Sequence, residues 1–311
     1  MIVTITLNPS LDRHVAVENL ILDDTNRWLS FKREPGGKGI NVSRVVKELG
    51  GKTTAYGFVG GFAGRTLRAI LKQQGVPCDF TPIKSEIRSN FIITDLKTHC
   101  QTRISAPGPR VSAGELKKLV AKVRSLKPKP DYMVMAGSVP PGVPFYIYRD
   151  LIHEMKALGI ITVLDSADLW LQEGIKAIPD VVKPNVREAQ TAMGVELTSQ
   201  DDIIRAVRAL IGNGIGIAAI SCGREGMIIG DKNAIYRVVP PSVDVMSTVG
   251  AGDSSVAGLV FKLSRGGSLE EASRFAVATG TAATLTPGTE LCHKRDVELL
   301  LPLVKVERLP L

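Results

Sequence analysis

Residues 131–222 hold four short apolar runs, "DYMVMAG" (131–137), "IITVLD" (160–165), "DVVKPN" (180–185) and "IAAISC" (217–222), with helical periodicity between them. Apolar runs this short and continuous read as strands buried on both faces. Their alternation with helices predicts an α/β fold built on a mostly parallel sheet with helices on each side. In such a sheet, ligands meet the chain beyond the C-terminal ends of the strands. Gly137 and Ser138, Asp165, Lys183 and Asn185, and Ser221 with Gly223 all fall there. So many polar residues and glycines along one edge predict a binding site.

Toward the N-terminus, "IVTITL" (2–7) is a β-branched run ending at the Asn8-Pro9 turn, with Asp12 just beyond. An acid in that place either meets a ligand or stabilises the turn. Residues 14–35 alternate in short, exposed pieces and predict a peripheral β flap. "PGGKGINVSRVVKELGG" (35–51) is a Gly-rich turn entering a helix whose apolar side is Ile40, Val42, Val45, Val46 and Leu49. Lys38 in that turn offers a point charge for phosphate, and Asn41 a hydrogen bond for a sugar hydroxyl; a plain left-handed turn explains the glycines equally well. Gly51-Lys52-Thr53 resembles the end of a Walker A motif, but Val46 stands where its first Gly belongs.

"TTAYGFVGGFAG" (53–64) predicts a strand and a second Gly-rich turn, and 88–105 a hairpin with Arg88 and Arg103 near its ends. Antiparallel pairing of two arginines suits a phosphate clamp, though edge-strand arginines are also ordinary. Ser112 with Glu115 and Ser268 with Glu271 have capping-box spacing. "GMIIGDKNAIYRVVPP" (226–241) reads as a hairpin leading to "STVGAGDSS" (247–255). There the small residues Gly250, Ala251 and Gly252 precede Asp253 and an apolar-periodic helix. A helix N-terminus presents unpaired N–H groups and the positive end of its dipole, which suits an anion. Asp253 beside it is either a base that takes a hydroxyl proton or a simple helix cap.

Composition narrows the function. The chain has 311 residues, 44% hydrophobic, enough for one large α/β domain with a substantial core. It has no basic segment followed by an apolar run at its start and no long uncharged apolar segment, so a cytoplasmic protein without membrane contact is expected. Cys78, Cys100, Cys222 and Cys292 are far apart, which suits free thiols, and His14, His99, His153 and His293 form no ligand pattern. A net charge of +8 favours anionic partners, either nucleic acid or phosphorylated small molecules. With 5% aromatic residues and no basic stripe interleaved with them, nucleic acid is not the expected partner.

Taken together, "TLNPSLD" (6–12), "GGKGINVSR" (36–44), "GFVGG" (57–61), "GSVPPG" (137–142), "KPNVRE" (183–188), "SCGREG" (221–226) and "TVGAGDS" (248–254) resemble the ribokinase-like (PfkB) carbohydrate kinases over essentially the whole chain. The similarity is to the phosphosugar branch, which includes 6-phosphofructokinase, 1-phosphofructokinase and tagatose-6-phosphate kinase. It implies a single three-layer α/β/α domain, residues 1–311, with a small β-sheet lid from about 12–35 and 88–105, through which a homodimer forms. It implies ATP and Mg2+ as cofactors and Asp253 as catalytic base, with Gly250, Ala251 and Gly252 as anion hole. By the same resemblance Asp12, Gly37, Lys38 and Asn41 contact the sugar, and Arg88, Arg103 and Ser138 its existing phosphate. Lys183, Asn185, Ser221, Gly223, Gly226 and Thr248 fall where the family holds ATP. Asn185 and Glu188 match its magnesium-associated N-x-x-E motif, acting on the metal through water.

The expected reaction is ATP-dependent phosphorylation of fructose 6-phosphate at its C1 hydroxyl. Fructose 1-phosphate at C6 or tagatose 6-phosphate are the alternatives, and a non-catalytic nucleic-acid-binding protein is the rival from another class. Two positions depart from some 6-phosphofructokinases. Thr25 stands where they carry Lys, with Arg27 two residues on, and Lys38 stands where they carry Gly, as is usual in the other two branches.

Overall fold

The computed structural model describes residues 1–310. The first half comprises β1 (Ile2–Thr6), β2 (Ser10–Val17), β3 (Ser30–Gly36), α1 (Lys38–Glu48), β4 (Thr53–Val59), α2 (Gly61–Gln73), β5 (Thr81–Pro82), β6 (Arg88–Asp95), β7 (Gln101–Ile104), α3 (Ala113–Arg124) and β8 (Tyr132–Ala136). Then follow α4 (Ile147–Ala157), β9 (Ile161–Asp165), α5 (Asp168–Lys176), β10 (Val181–Val182), α6 (Val186–Met193), α7 (Gln200–Gly212) and β11 (Ile217–Ser221). The chain closes with β12 (Met227–Gly230), β13 (Ile235–Val239), α8 (Ala251–Leu263), α9 (Leu269–Thr284), α10 (Lys294–Leu300) and β14 (Lys305–Leu309).

Ten strands form one sheet in the order β14-β13-β12-β11-β10-β9-β8-β1-β4-β5. All pairs from β11 to β5 are parallel, and β12 to β14 add an antiparallel edge. Alternation along the strands feeds two separate cores. Val3, Ile5, Met133, Met135, Leu164 and Val182 pack with the residues of α2 to α5 and α7. Their strand neighbours Ile2, Val134, Ala136, Val163 and Val181 pack with α1, α8, α9 and α10. The result is three layers, helix on sheet on helix, as expected.

Helix α8 has the most enclosed position. Asp253 through Phe261 are all buried, because α1, α9 and the sheet surround the helix. The fit against α9 is close, since a Cβ on Gly258 would lie 2.6 Å from Thr279 Oγ1. An acid in the first turn of such a helix loses most of its water.

The smaller sheet has the order β3-β2-β6-β7, with β2 and β6 parallel and the other pairs antiparallel. Residues two apart in a strand share a face. One face therefore carries Ser10, Asp12 and His14 beside Glu34, Arg88, Asn90 and Arg103, while the other exposes Phe31, Phe91 and Ile104.

Three local expectations are corrected. Asp12 lies inside β2, not in a turn after β1, because the chain re-enters a sheet at Ser10. Lys38 is the first residue of α1, with Gly37 as its N-cap, so the expected glycine turn over Gly36, Gly37 and Gly39 ends at Gly37 and Gly39 is already helical. The C-terminal β14 was not foreseen; its alternation is masked by charged residues at an edge where one face meets solvent. The expected hairpin at 88–105 forms as β6 and β7, and both expected capping boxes are present. All four cysteines are free thiols, and among the described residues no helix is long and apolar enough to cross a membrane.

Candidate active site

The C-terminal ends of β8, β9, β10 and β11 bring Ser138, Asp165, Lys183, Asn185 and Ser221 to one edge of the large sheet. Helices α1 and α8 enter the same edge. Gly250 is the N-cap of α8 with φ 77°, and a Cβ there would stand 2.5 Å from Leu291 Cδ2. Only glycine adopts that bend without strain. It turns the next amides toward the cleft. Among the described residues, neither the Gly250 nor the Gly252 amide has a hydrogen-bond acceptor.

Asp253 follows in the first turn of α8, 8% exposed. Its side chain does not cap the helix, which has no side-chain cap. Instead Oδ2 accepts a hydrogen bond from Asn41 Nδ2 of α1 at 2.8 Å. Burial, then the nearby Asp165 charge, push its pKa up to about 6, against the pull of Lys38, the Asn41 bond and Lys183. The choice left open by the sequence thus falls on the base-like side: a desolvated carboxylate held across the cleft.

Lys183 is 2% exposed, and its ammonium makes no ion pair among the described residues. A Cβ on Gly252 would be 3.9 Å from its Nζ. A buried cation beside open amides calls for an anion, since either alone is costly in the absence of a partner.

Lys38 is disposed in the opposite way. Its Nζ lies 2.9 Å from Asp165 Oδ1 and 3.3 Å from Glu188 Oε1. Burial pulls its pKa down, but Asp165, Glu188 and Asp253 outweigh this and hold it above the ordinary lysine value. Asn185 and Glu188 form a capping box at the start of α6: Glu188 N donates to Asn185 Oδ1 at 2.9 Å and Asn185 N to Glu188 Oε2 at 2.8 Å. Glu188 Oε1 and Asp165 Oδ1 are taken by the Lys38 ammonium, and among the described residues Asp165 Oδ2 is buried without a partner. Two carboxylates with a free buried oxygen suit a hard divalent cation that completes its shell with water or phosphate oxygens. No group of three or more His, Cys, Asp or Glu forms a closed metal site among the described residues.

On the opposite side of the cleft, Asp12 Oδ1 accepts from Ser10 Oγ at 2.7 Å and from Asn90 Nδ2 at 2.8 Å. Gly36 and Gly37 let β3 and α1 approach: a Cβ on Gly36 would sit 2.4 Å from Asp12 Oδ2, and Gly37 has φ 114°. Arg88 donates to Asn8 O and Ala106 O, while Asn8 Nδ2 donates to Ser138 Oγ. Arg88 and Ser138 line a cleft of about 600 Å³ with Pro107, Pro140 and Trp170. Arg103 is not among its walls. It pairs in register with Ile92, four residues along β6 from Arg88, so the two arginines share a face about 13 Å apart along the strand and form no clamp here.

Thr248, exposed, accepts from the Ala251 amide, and Gly223 and Gly226 bracket the short turn between β11 and β12. Asn41, expected to serve a sugar hydroxyl, spends its amide group on Asp253 and accepts from Arg44. Sequence reading noted Asp165 at a strand end without assigning it a task, and it missed Asn90. The available signal for Asn90 was its position two residues from Arg88 in an alternating strand.

The chain matches the pfkB family of carbohydrate kinases over residues 5–295. It is 34% identical over 308 residues to 1-phosphofructokinase of Borreliella burgdorferi, covering 99% of this chain and 98% of that one. It is 35% identical over 300 residues to ATP-dependent 6-phosphofructokinase isozyme 2 of Escherichia coli, covering 96% of each. A crystal structure of Escherichia coli phosphofructokinase-2 with substrates and products aligns with TM-score 0.93 at 34% identity, covering 97% of this chain and 98% of that one. Whole-length similarity to named sugar kinases joins the layered ribokinase-like fold to the carboxylate, open amides and unpaired lysine on its strand ends: the chain belongs to the pfkB family of carbohydrate kinases and is a sugar kinase of the phosphofructokinase type.

Proposed function

We propose that the protein transfers the γ-phosphate of ATP to the C1 hydroxyl of fructose 6-phosphate, giving fructose 1,6-bisphosphate. The observation that carries this reading is the buried Asp253 carboxylate beside the open Gly250 and Gly252 amides. In it, Asp253 accepts the C1 hydroxyl proton as the sugar oxygen bonds to the γ-phosphorus and the bond from that phosphorus to the bridging oxygen of ADP breaks. Gly250 and Gly252 donate their open N–H groups to the moving phosphoryl oxygens, where preorganised donors act without reorganisation, and Ala251 joins them by giving up its bond to Thr248 O. Lys183 adds its charge on the nucleotide side, where Asn185, Ser221, Gly223, Gly226 and Thr248 border the ATP. Asp12, Gly37, Lys38 and Asn41 border the sugar, and Arg88 and Ser138 serve its existing phosphate, with Arg103 reaching it only on closure of the lid.

Asp165 and Glu188, with Asn185 through water, are the residues to hold magnesium, which when bound neutralises charge on the transferring phosphates. The small sheet serves as a lid that keeps water from competing as acceptor. Its outer face, with Phe31, Phe91, Ile104 and Trp28 exposed, supports a homodimer formed lid to lid. A cytoplasmic location fits ATP as co-substrate and the four free thiols.

Fructose 1-phosphate is the second reading. It is favoured by Lys38 at the start of α1, just after the glycine turn, and by the name of the Borreliella burgdorferi relative. Specificity constants from coupled ADP release on fructose 6-phosphate, fructose 1-phosphate and tagatose 6-phosphate separate the choices. Preference for fructose 6-phosphate is expected; preference for another of the three overturns the sugar assignment, and no ADP release from any overturns the reaction.

A further inference from the structure

The cations of the cleft are unequal. Among the described residues Lys183 has no anionic partner, whereas Lys38 has two, drawn from different elements: Asp165 at the end of β9 and Glu188 in the first turn of α6. These carboxylates have no other cation among the described residues, and the Asp165 side chain is only 2% exposed. Burying a carboxylate so deeply requires a counter-charge. The ammonium supplies it incompletely, because Asp165 Oδ2 is left without any partner. Of the two oxygens that Lys38 occupies, Glu188 Oε1 is the one that the N-x-x-E cap leaves open, since Glu188 Oε2 is already engaged by the Asn185 amide; the other, Oδ1, belongs to Asp165 at the end of β9.

A metal ion at this pair competes with the ammonium, since both are positively charged and Lys38 already takes one oxygen of each carboxylate. Lys38 also has somewhere to go. Its stem passes Gly137, where a Cβ would lie 3.6 Å from Lys38 Cβ, and Gly137 adjoins Ser138 on the wall of the Arg88 cleft.

We propose that Lys38 is a stand-in cation: it holds the Asp165–Glu188 pair while no metal is bound, is displaced by the divalent cation, and then turns its ammonium to an anionic group in the sugar-side cleft. The inference rests on the kinase reading for its biological setting, but its first part concerns metal binding alone. Lys38 thereby couples two sites. A phosphosugar that accepts the released ammonium tightens metal binding, and by linkage the metal tightens phosphosugar binding to the same extent. This makes Lys38 a positioning residue for the metal in addition to its expected sugar contact.

Mn2+ binding to the whole protein, followed by electron paramagnetic resonance and calorimetry without nucleotide, tests the displacement. K38M is expected to bind Mn2+ about tenfold more tightly than wild type, and K38R, which keeps the charge, as weakly as wild type. D165N is expected to abolish this binding in either background. Fructose 6-phosphate and fructose 1-phosphate, each added in turn, should tighten Mn2+ binding in wild type for the sugar that binds, and not in K38M. Unchanged or weaker Mn2+ binding in K38M, equal tightening in K38R, or Mn2+ binding that survives D165N would each overturn the proposal. Absence of ADP release by wild type, together with tighter Mn2+ binding in K38M, would remove the kinase reaction and leave the displacement standing. Thermal melting of each variant confirms that the fold is intact.

Discussion

The two sides of the cleft differ in what they lack. At the entry to α8, donors are in surplus: two amides without acceptors and a buried lysine without a counter-ion. At the ends of β9 and the start of α6, acceptors are in surplus: two carboxylates share one ammonium, with a buried oxygen left over. Folding alone would satisfy both, since each unpaired buried group costs stability. Their persistence side by side suits a ligand that is anionic at one end and brings a cation to the other, as in the proposed reaction. A metal-bound nucleotide has that polarity. Asp253 lies between them, and its pKa of about 6 records the balance of burial and Asp165 against Lys38 and Lys183.

The sharpest way to break this contrast is to neutralise the group between the two sides. D253N should lower kcat by about a hundredfold or more, the usual worth of a positioned base. Wild-type kcat/KM should likewise fall as pH drops through about 6, where Asp253 takes up a proton. The same variant should be more stable than wild type. A carboxyl whose folded pKa is raised gives its full stability below the unfolded value and loses it as pH rises through the folded value. The D253N advantage should therefore be greatest at pH 8, at most about 3 kcal/mol, and vanish near pH 4. Denaturant titrations at the two pH values check it, and a stability gap independent of pH would contradict the burial account.

Removing the free cation comes next. K183M should raise the KM for ATP about tenfold to a hundredfold, the worth of a charged hydrogen bond, with a smaller effect on the sugar. The arginines of the small sheet sharpen the contrast on the sugar side. R88A should raise the phosphosugar KM by about tenfold and R103A by less, because only Arg88 lines the cleft. Equal effects would mean that Arg103 reaches the ligand when the lid closes. The smallest effects concern the bend. G250A should cost about 1–3 kcal/mol of stability, from its positive φ and the contact with Leu291. G252A, whose Cβ meets nothing nearer than Lys183 Nζ, should melt like wild type while losing turnover.

Local pattern accounts for much of the architecture. The runs at 131–137, 160–165, 180–185 and 217–222 became β8 to β11 in parallel register, because continuous apolar strands must be covered on both faces. The capping boxes at Ser112 and Ser268 formed because they are satisfied within four residues. Edges were less legible. In β14, Lys305, Glu307 and Arg308 obscure the alternation, and Asp12 was separated from its strand by reading the Asn8-Pro9 turn as longer than it is. The Asn185–Glu188 spacing carried two meanings at once: it caps α6, and it presents one carboxylate oxygen to the cleft.

What the amino-acid order determined by itself was therefore whatever depends on neighbours in the chain: strand period, helix caps, the glycine bend before Asp253, and the collection of polar residues at strand ends. Only the tertiary structure decided that Asp253 reaches Asn41 and does not cap its helix, that Lys38 is held by Asp165 and Glu188 while Lys183 stays unpaired, and that Arg88 lines the cleft without Arg103. The reason is physical. Burial and Coulomb energy depend on distances between residues more than a hundred positions apart, and those distances exist only once α1, α6 and α8 are packed at the same edge of the sheet.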